Sequence, residues 1–324
     1  MVASTTAGFR QLSQLGEFGL IRRFSRMTPK AVGAPLGIGD DTAAVVPSGK
    51  NHLMLLTCDP VIEGVHFDSS AAPFQIGWKA MARNLSDIAA MGGKPLYALV
   101  AASLPRKITT AQALEIYRGI MAATRKFGVA VVGGDTARSP HGIHVTVTVV
   151  GEVARSEIVA RSGARVGDGL CVTGTLGASI RGKHLRFQPR MTEARFLARR
   201  FRPSAMIDVS DGLASDLRRL SEQSRVGFEV WAGALPISSD LRAQKLSKAR
   251  EIHHALCDGE DYELLFTIAP GRLSRLQTIW KKRFRLRLTQ IGVVRPRVFG
   301  IRLIESAGSR KILPFPSAGH DHFG

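Results

Sequence analysis

Cysteine is scarce. Cys58, Cys171 and Cys257 are the only three in 324 residues, and no two are closely spaced. That excludes a disulfide framework and a cysteine-based zinc site, and it suits a reducing compartment, so a cytoplasmic location is expected. No uninterrupted apolar run reaches the roughly 18 residues of a membrane span. The first ten residues are small and polar without an apolar core, unlike a secretory signal. Acidic residues are also few, 26 against 45 Lys and Arg, which leaves a formal charge of +19. Aromatics make up 6%. No aromatic-interleaved platform for single strands accompanies the basic clusters at Arg22-Arg23, 195–202, Arg218-Arg219 and 281–287. Nucleic acid is therefore not the expected partner, and the charge reads as a solvated surface.

What is present is an ordinary globular balance, 44% hydrophobic and 22% charged, in a chain long enough for two domains. Against the basic background, five short motifs gather carboxylates beside glycines: Gly37-Ile38-Gly39-Asp40-Asp41, Asn84-Leu85-Ser86-Asp87, Gly133-Gly134-Asp135, Ile207-Asp208-Val209-Ser210-Asp211-Gly212 and Asp258-Gly259-Glu260-Asp261-Tyr262-Glu263. Mg²⁺ takes oxygen ligands and usually binds through one or two carboxylates plus substrate phosphates. A strand-then-acid pattern recurs at Asp59, Asp135 and Asp211. One such acid is most simply a turn residue. Three of them, with the other clusters, point to a metal–phosphate site at strand ends. Glycines 37, 39, 133, 134, 174 and 177 could let backbone N–H groups approach phosphate oxygens.

Periodicity predicts strands over 52–58, 96–103, 129–132, 143–150, 170–173, 206–209, 262–268 and 286–294. Helices are predicted over 74–91, from a Thr109/Gln112 capping box to Phe127 with Gly128 as its stop, from Gly212 to about 223, and over 273–281. Ile76, Ala80, Met81, Leu85, Ile88 and Ala89 share one side of the first helix. Asp87 falls near its negative end, where the helix dipole disfavours an acid, so a cation is expected to hold it. Strands and helices mix in both halves without strict βαβ repetition, which favours α+β over a doubly wound sheet. The polar turn segment 161–168 is the best candidate for a domain boundary. Residues 177–184 fit GxxxxGK after a strand, but His184 stands where a P-loop needs Ser or Thr, so a P-loop is not expected. His66 reads as structural or as a phosphate or substrate contact with equal weight.

Taken in order, the motifs GEFGLI (16–21), GIGDD, EGVHF (63–67), NLSDIAAMG, GGDT, RSGARVGD, IDVSDGL, GEDYEL and the closing Asp321-His322-Phe323 resemble those of the thiamine-monophosphate kinase family. That family sits within a superfamily shared with aminoimidazole ribonucleotide synthetase, selenophosphate synthetase and a hydrogenase-maturation protein. The resemblance implies a two-domain α+β fold of the PurM-like (AIR synthase-like) kind. Residues 1–152 would form the dimerisation and Mg²⁺/ATP domain, residues 153–324 the ATP and substrate domain, and the N-terminal sheets would pair in a homodimer. It implies direct transfer of the ATP γ-phosphoryl group to thiamine monophosphate with several Mg²⁺ ions. Asp41, Asp59, Asp87, Asp135, Asp208 and Asp211, with Thr57 and Cys58 beside them, would be the metal ligands. Gly134, Asp135, Arg161 and Ser210 would contact ATP, and His66, Glu260 and Phe323 the acceptor. Catalysis would run through the metal bound by Asp41, Asp87, Asp135 and Asp211, together with Arg161.

The chain departs from the family pattern at Cys58, where Thr is usual, at Pro60, at Asp258, where Gly is usual, at His320, where an aromatic residue is usual, and in a shorter 177–206 stretch. Two alternatives therefore stay open: the same fold acting on another small acceptor, and a binding paralogue without turnover.

Overall fold

The computed structural model describes residues 35–36, 40, 42–46 and 51–316. The readings that fall on residues 16–21, Asp41, His320 and Phe323 lie outside the described residues. The elements run β1 (Ala43–Val45), β2 (His52–Ile62), α1 (Pro73–Ala90), β3 (Lys94–Pro105), α2 (Thr110–Phe127), β4 (Ala130–Ser139), β5 (His144–Ala154), β6 (Gly169–Thr173), α3 (Met191–Arg200), β7 (Ala205–Asp208), α4 (Leu213–Ser224), β8 (Gly227–Trp231), α5 (Ser239–Arg242), α6 (Lys248–Cys257), β9 (Leu264–Ile268), α7 (Pro270–Arg283), β10 (Leu288–Arg295), β11 (Ile301–Ile304) and β12 (Ile312–Leu313). None of the described helices is long and apolar enough to cross a membrane.

Two sheets organise these elements. The first has the order β1-β2-β5-β3-β4, antiparallel except for the parallel β3–β4 pair. The second has the order β12-β11-β8-β10-β6-β9-β7, with β11–β8 its parallel pair. Mixed strands and helices over two sheets make this an α+β fold, as the patterning predicts.

Alternation assigns each face. In β2 the odd positions 53, 55, 57 and 61 are buried, while Cys58 and Pro60 face outward. In the second sheet Cys171, Met206, Leu264 and Phe266 join one core cluster, and Leu170, Val172, Ile207 and Leu265 join another. The first cluster is continuous with the helix-covered face of the first sheet, so a single core runs from sheet to sheet across α1. α1 is accordingly apolar nearly all round, as a helix between two layers must be. It packs on β2 and β5 with one side and on α3 and β7 with the other.

Two helix ends behave as read. Thr109 accepts from the Gln112 amide while Gln112 reaches back to the Thr109 amide, and Gly128 closes α2 in the left-handed region (φ +71°). Two strands do not. β4 continues through Gly133-Gly134-Asp135 to Ser139, because the glycine segment stays in parallel register with residues 99–101 of β3. Gly134 approaches β3 so closely that a Cβ there would lie 1.9 Å from the Val100 carbonyl oxygen. β9 starts at Leu264 rather than at Tyr262, because Tyr262 has φ +49° and breaks the extended run.

Candidate active site at the seam between the sheets

α1 carries most of the NLSD motif into the seam, and each polar residue of the motif has a distinct partner. Asn84, fully buried, accepts from the Asp59 amide (3.1 Å) and so ties α1 to the second half of β2. The Ser86 hydroxyl donates to Asp208 Oδ2 at 2.6 Å, linking α1 to the end of β7. The Thr57 hydroxyl donates to Asp87 Oδ2 at 2.5 Å. That donor offsets part of the penalty of an acid near a helix C-terminus, the position the sequence reserves for a cation.

The IDVSDGL segment turns the chain from β7 into α4. Asp208 is buried. The Asp211 amide donates to Asp216 Oδ2 (3.1 Å), and Arg219 pairs with both Asp211 and Asp216, the latter at 3.0 Å. Burial, together with the neighbouring Asp211 and Asp208 carboxylates, holds Asp216 well above the usual carboxylate range, although Arg219 and Arg161 oppose this. Arg161 therefore lies within electrostatic reach of this cluster, and its amide donates to Asp40 Oδ1 at 3.2 Å. The Ser210 carbonyl accepts from the Glu260 amide at 2.7 Å, which joins the predicted ATP residue to the predicted acceptor residue.

His66 and Glu260 meet on one amine. Lys79, fully buried on α1, lies 2.5 Å from Glu260 Oε2 and donates to the His66 carbonyl oxygen at 2.6 Å. Burial pulls the Lys79 pKa down while Glu260 pulls it back up. The sequence does not single out Lys79, Arg83 or Asp216, and it shows Arg219 only as part of a basic surface cluster. The spacing Lys79–Arg83–Asp87, which sets every charged residue of a mostly apolar helix four apart on one face, carries the missing signal.

Not every predicted residue joins this group. The Cys58 thiol points to the outer face of the first sheet, where Thr148 donates to it (3.2 Å), so the side chain lies on the wrong side to accompany Thr57 as a ligand. Asp135 is exposed on the edge strand. The register row Asp135–Ala101–Thr146–Pro60 puts it three strands from β2, about 14 Å away at the usual strand spacing. It also shares the outward face of Tyr97 and Leu99, and Gly134 lies beside it. Within one chain, Asp135 and Asp59 are too far apart to share an ion bound at about 2.1 Å.

Two glycine readings are also corrected. The Gly177 amide donates to both carboxylate oxygens of Asp261 (3.1 and 3.0 Å), and the Ala178 amide donates to Asp258 (2.9 Å). At Gly174 a Cβ would strike the Glu263 carboxylate, 2.1 Å from Oε1. These amides and this space serve the protein's own acids rather than a phosphate, consistent with the rejected P-loop. Asp258, one of the departures, thereby has a structural use, reinforced by His254 Nδ1 at 2.8 Å.

Among the described residues, no three His, Cys, Asp or Glu side chains form a group that holds a metal ion unaided. Asp59, Asp87 and Asp208 lie along the seam, each on its own partner, and offer hard oxygens, as Mg²⁺ requires. An ion that draws its remaining ligands from phosphates and water fits so open a set.

Comparison with known proteins places the chain. Residues 39–153 match the AIR synthase related protein N-terminal domain and residues 130–302 the corresponding C-terminal domain. The thiamine-monophosphate kinase of Rhodopirellula baltica is 39% identical over 267 residues, covering 80% of this chain and 83% of that protein. The Bacillus subtilis kinase is 33% identical over 333 residues, covering 95% and 100%. A solved structure described as "AaThiL complexed with AMPPCP and TMP" superposes with a TM-score of 0.80 at 33% identity, over 97% of this chain and 100% of that one. The Escherichia coli hydrogenase maturation protein HypE, at 18% identity, TM-score 0.65, and 81% and 86% coverage, shares the fold alone. The two-domain fold is thus PurM-like, and with relatives this similar over this much of its length the chain belongs to the thiamine-monophosphate kinase family, a family of phosphotransferases.

Proposed function

We propose that this chain passes the γ-phosphoryl group of ATP directly to the phosphate of thiamine monophosphate. One P–O bond forms between an acceptor phosphate oxygen and the γ-phosphorus. The bond to the β,γ-bridging oxygen breaks, and ADP leaves with the electron pair. The observation that carries this reading is the convergence of His66 and Glu260 on Lys79, beside Asp59, Asp87 and Asp208. An acceptor pocket and a metal–phosphate pocket would then share the seam.

Asp59, Asp87, Asp208 and Asp211, with Asp41 outside the described residues, would hold Mg²⁺, which when bound would neutralise phosphate charge. The chain's own residues would position the two phosphorylated substrates. Arg161 and Ser210 would lie on the ATP side, Glu260 and His66 on the acceptor side. No side-chain nucleophile is needed, and the attacking oxygen is already ionised, so no strong base is needed either. The two motives for a different acceptor that fall on described residues have other uses: Asp258 caps the 178 amide, and the Cys58 thiol faces away. The reading includes domains at 1–152 and 153–324, a cytoplasmic location, a homodimer paired through the first sheets, and Gly134 and Asp135 near ATP.

Phosphorus NMR of the protein with ATP, Mg²⁺ and thiamine monophosphate tests the reading. Thiamine diphosphate and ADP should appear together, and chelating the metal should stop both. Asp87→Ala and Asp211→Ala should each slow turnover by about 100-fold or more. Intact ATP in the complete mixture, or wild-type rates in both variants, would overturn it.

A further inference from the structure

Lys79, Arg83 and Asp87 form one stripe along α1. Lys79 is committed to Glu260 and His66, and Asp87 is hydrogen-bonded to Thr57. Arg83 lies midway between the acceptor residues and the carboxylates. Its Nη1 donates to the Pro60 carbonyl oxygen at 3.0 Å, and its Nε stands 3.8 Å from Asp59 Oδ2, beyond hydrogen-bond range. Among the described residues nothing accepts from its Nη2. The guanidinium nonetheless stays firmly charged. Burial works against the charge, but the carboxylates of Asp59, Glu260 and Asp87 outweigh it.

Tyr262 lies beside the same guanidinium. It is 2% exposed, and its hydroxyl has no hydrogen-bond partner among the described residues. Native proteins seldom leave such a hydroxyl unmatched. The ring is held in place by stacking on Phe187 at 3.7 Å between centroids. The backbone beneath it takes φ +49°, and Glu260 two residues earlier takes φ +58°. Bulky residues rarely adopt that conformation, and where they do it tends to mark a functional site.

We propose that Arg83 and the Tyr262 hydroxyl form the seat for the phosphate of the acceptor. This rests on the phosphotransferase reading above. A planar guanidinium matches phosphate geometry and makes a charge-assisted bond. The phenol, kept protonated by burial, supplies a second donor. The acceptor phosphate must approach another polyphosphate, and a fixed cation between Glu260 and Asp59 lowers the repulsion that opposes this approach.

The test is a cycle between protein and ligand. Full-length wild type, Arg83→Gln, Arg83→Lys and Tyr262→Phe are titrated calorimetrically with thiamine monophosphate and with thiamine, without ATP. Wild type should prefer the phosphorylated ligand. Arg83→Gln should lose about tenfold or more in affinity for thiamine monophosphate, with thiamine unchanged within about twofold. Tyr262→Phe should show a smaller loss with the same selectivity. Should Arg83→Gln fail to fold, Arg83→Lys, which keeps the charge without the fork, should still show a several-fold loss confined to thiamine monophosphate. Equal losses for both ligands, or no loss, would overturn the Arg83 seat while leaving the phosphotransferase reading intact. A wild type that does not prefer thiamine monophosphate would overturn both.

Discussion

Asp261 holds its carboxylate beneath residues 177–179, where the Gly177 amide and the Ser179 hydroxyl both donate to it. Burial nevertheless pushes its pKa up to about 7, against the pull of Lys183 and those hydrogen bonds. An unfolded aspartate titrates near 4, at about 3.9. Between these two values the folded chain keeps a proton that the unfolded chain has lost, so this group makes stability fall as pH rises from about 4 to 7. Asp216, also raised, acts in the same direction. Urea unfolding at several pH values should give Asp261→Asn a shallower decline than wild type across pH 5–6.5, by up to about 1.4 kcal/mol per pH unit. Parallel curves for the two proteins would refute this. The same residue marks a limit of reading sequence. In GEDYEL four polar positions stand together, yet only Glu260 and Tyr262 face the seam. Asp261 turns to the 177 amide, and Glu263 turns inward to Arg190 and Thr173. The left-handed backbone at Glu260 and Tyr262 sets those directions, and no residue type in the motif announces it.

Helix α1 shows what a sequence does declare. Its apolar positions, Ile76, Ala80, Met81, Leu85, Ile88 and Ala89, are all buried, and its predicted span of 74–91 differs from the observed one by a single residue at each end. Burial on nearly every side comes from a second layer, β7 and α3, which a single amphipathic pattern does not reveal. Periodicity predicts none of α3, α5 and α6, because charged residues obscure the apolar stripes of α3 and α6, α5 is a single turn, and tertiary packing fixes them. The contact of α1 with α2 depends on two glycines. A Cβ on Gly77 would sit 1.8 Å from the Ile116 carbonyl oxygen, and one on Gly119 would sit 1.9 Å from that of Phe74. Gly77→Ala therefore has to push the helices apart, and overpacking of this kind costs about 1–3 kcal/mol. Its thermal midpoint should drop by several degrees, and because the same helix positions Lys79 and Asp87, turnover should drop with it. An unchanged midpoint would show that the α1–α2 pair yields freely.

At the scale of the whole molecule, one large surface is left uncovered by the packing of the described residues. Among the described residues the first sheet is covered by helices on one face only, and its other face exposes Tyr97 at 50%, Leu99 at 46% and Val132 at 61%. A half-exposed antiparallel sheet ordinarily turns polar residues to water, so contiguous apolar side chains here favour a partner sheet. That is the pairing proposed for the homodimer, and Asp135 lies on the same outward face. The formal charge of +19 per chain opposes such an association. Two like-charged chains repel through solvent, and salt screens that repulsion. The dimer should accordingly tighten as ionic strength rises, opposite to a contact held by ion pairs. Sedimentation at micromolar concentration should give twice the chain mass for wild type and the single-chain mass for a Tyr97→Glu, Leu99→Glu double variant. The variant should keep its circular dichroism, since both side chains are already half exposed, but lose turnover if Asp135 acts from the paired face. A wild type that sediments as one chain at every salt concentration would end the homodimer proposal. A fully active monomeric variant would remove Asp135 from the site.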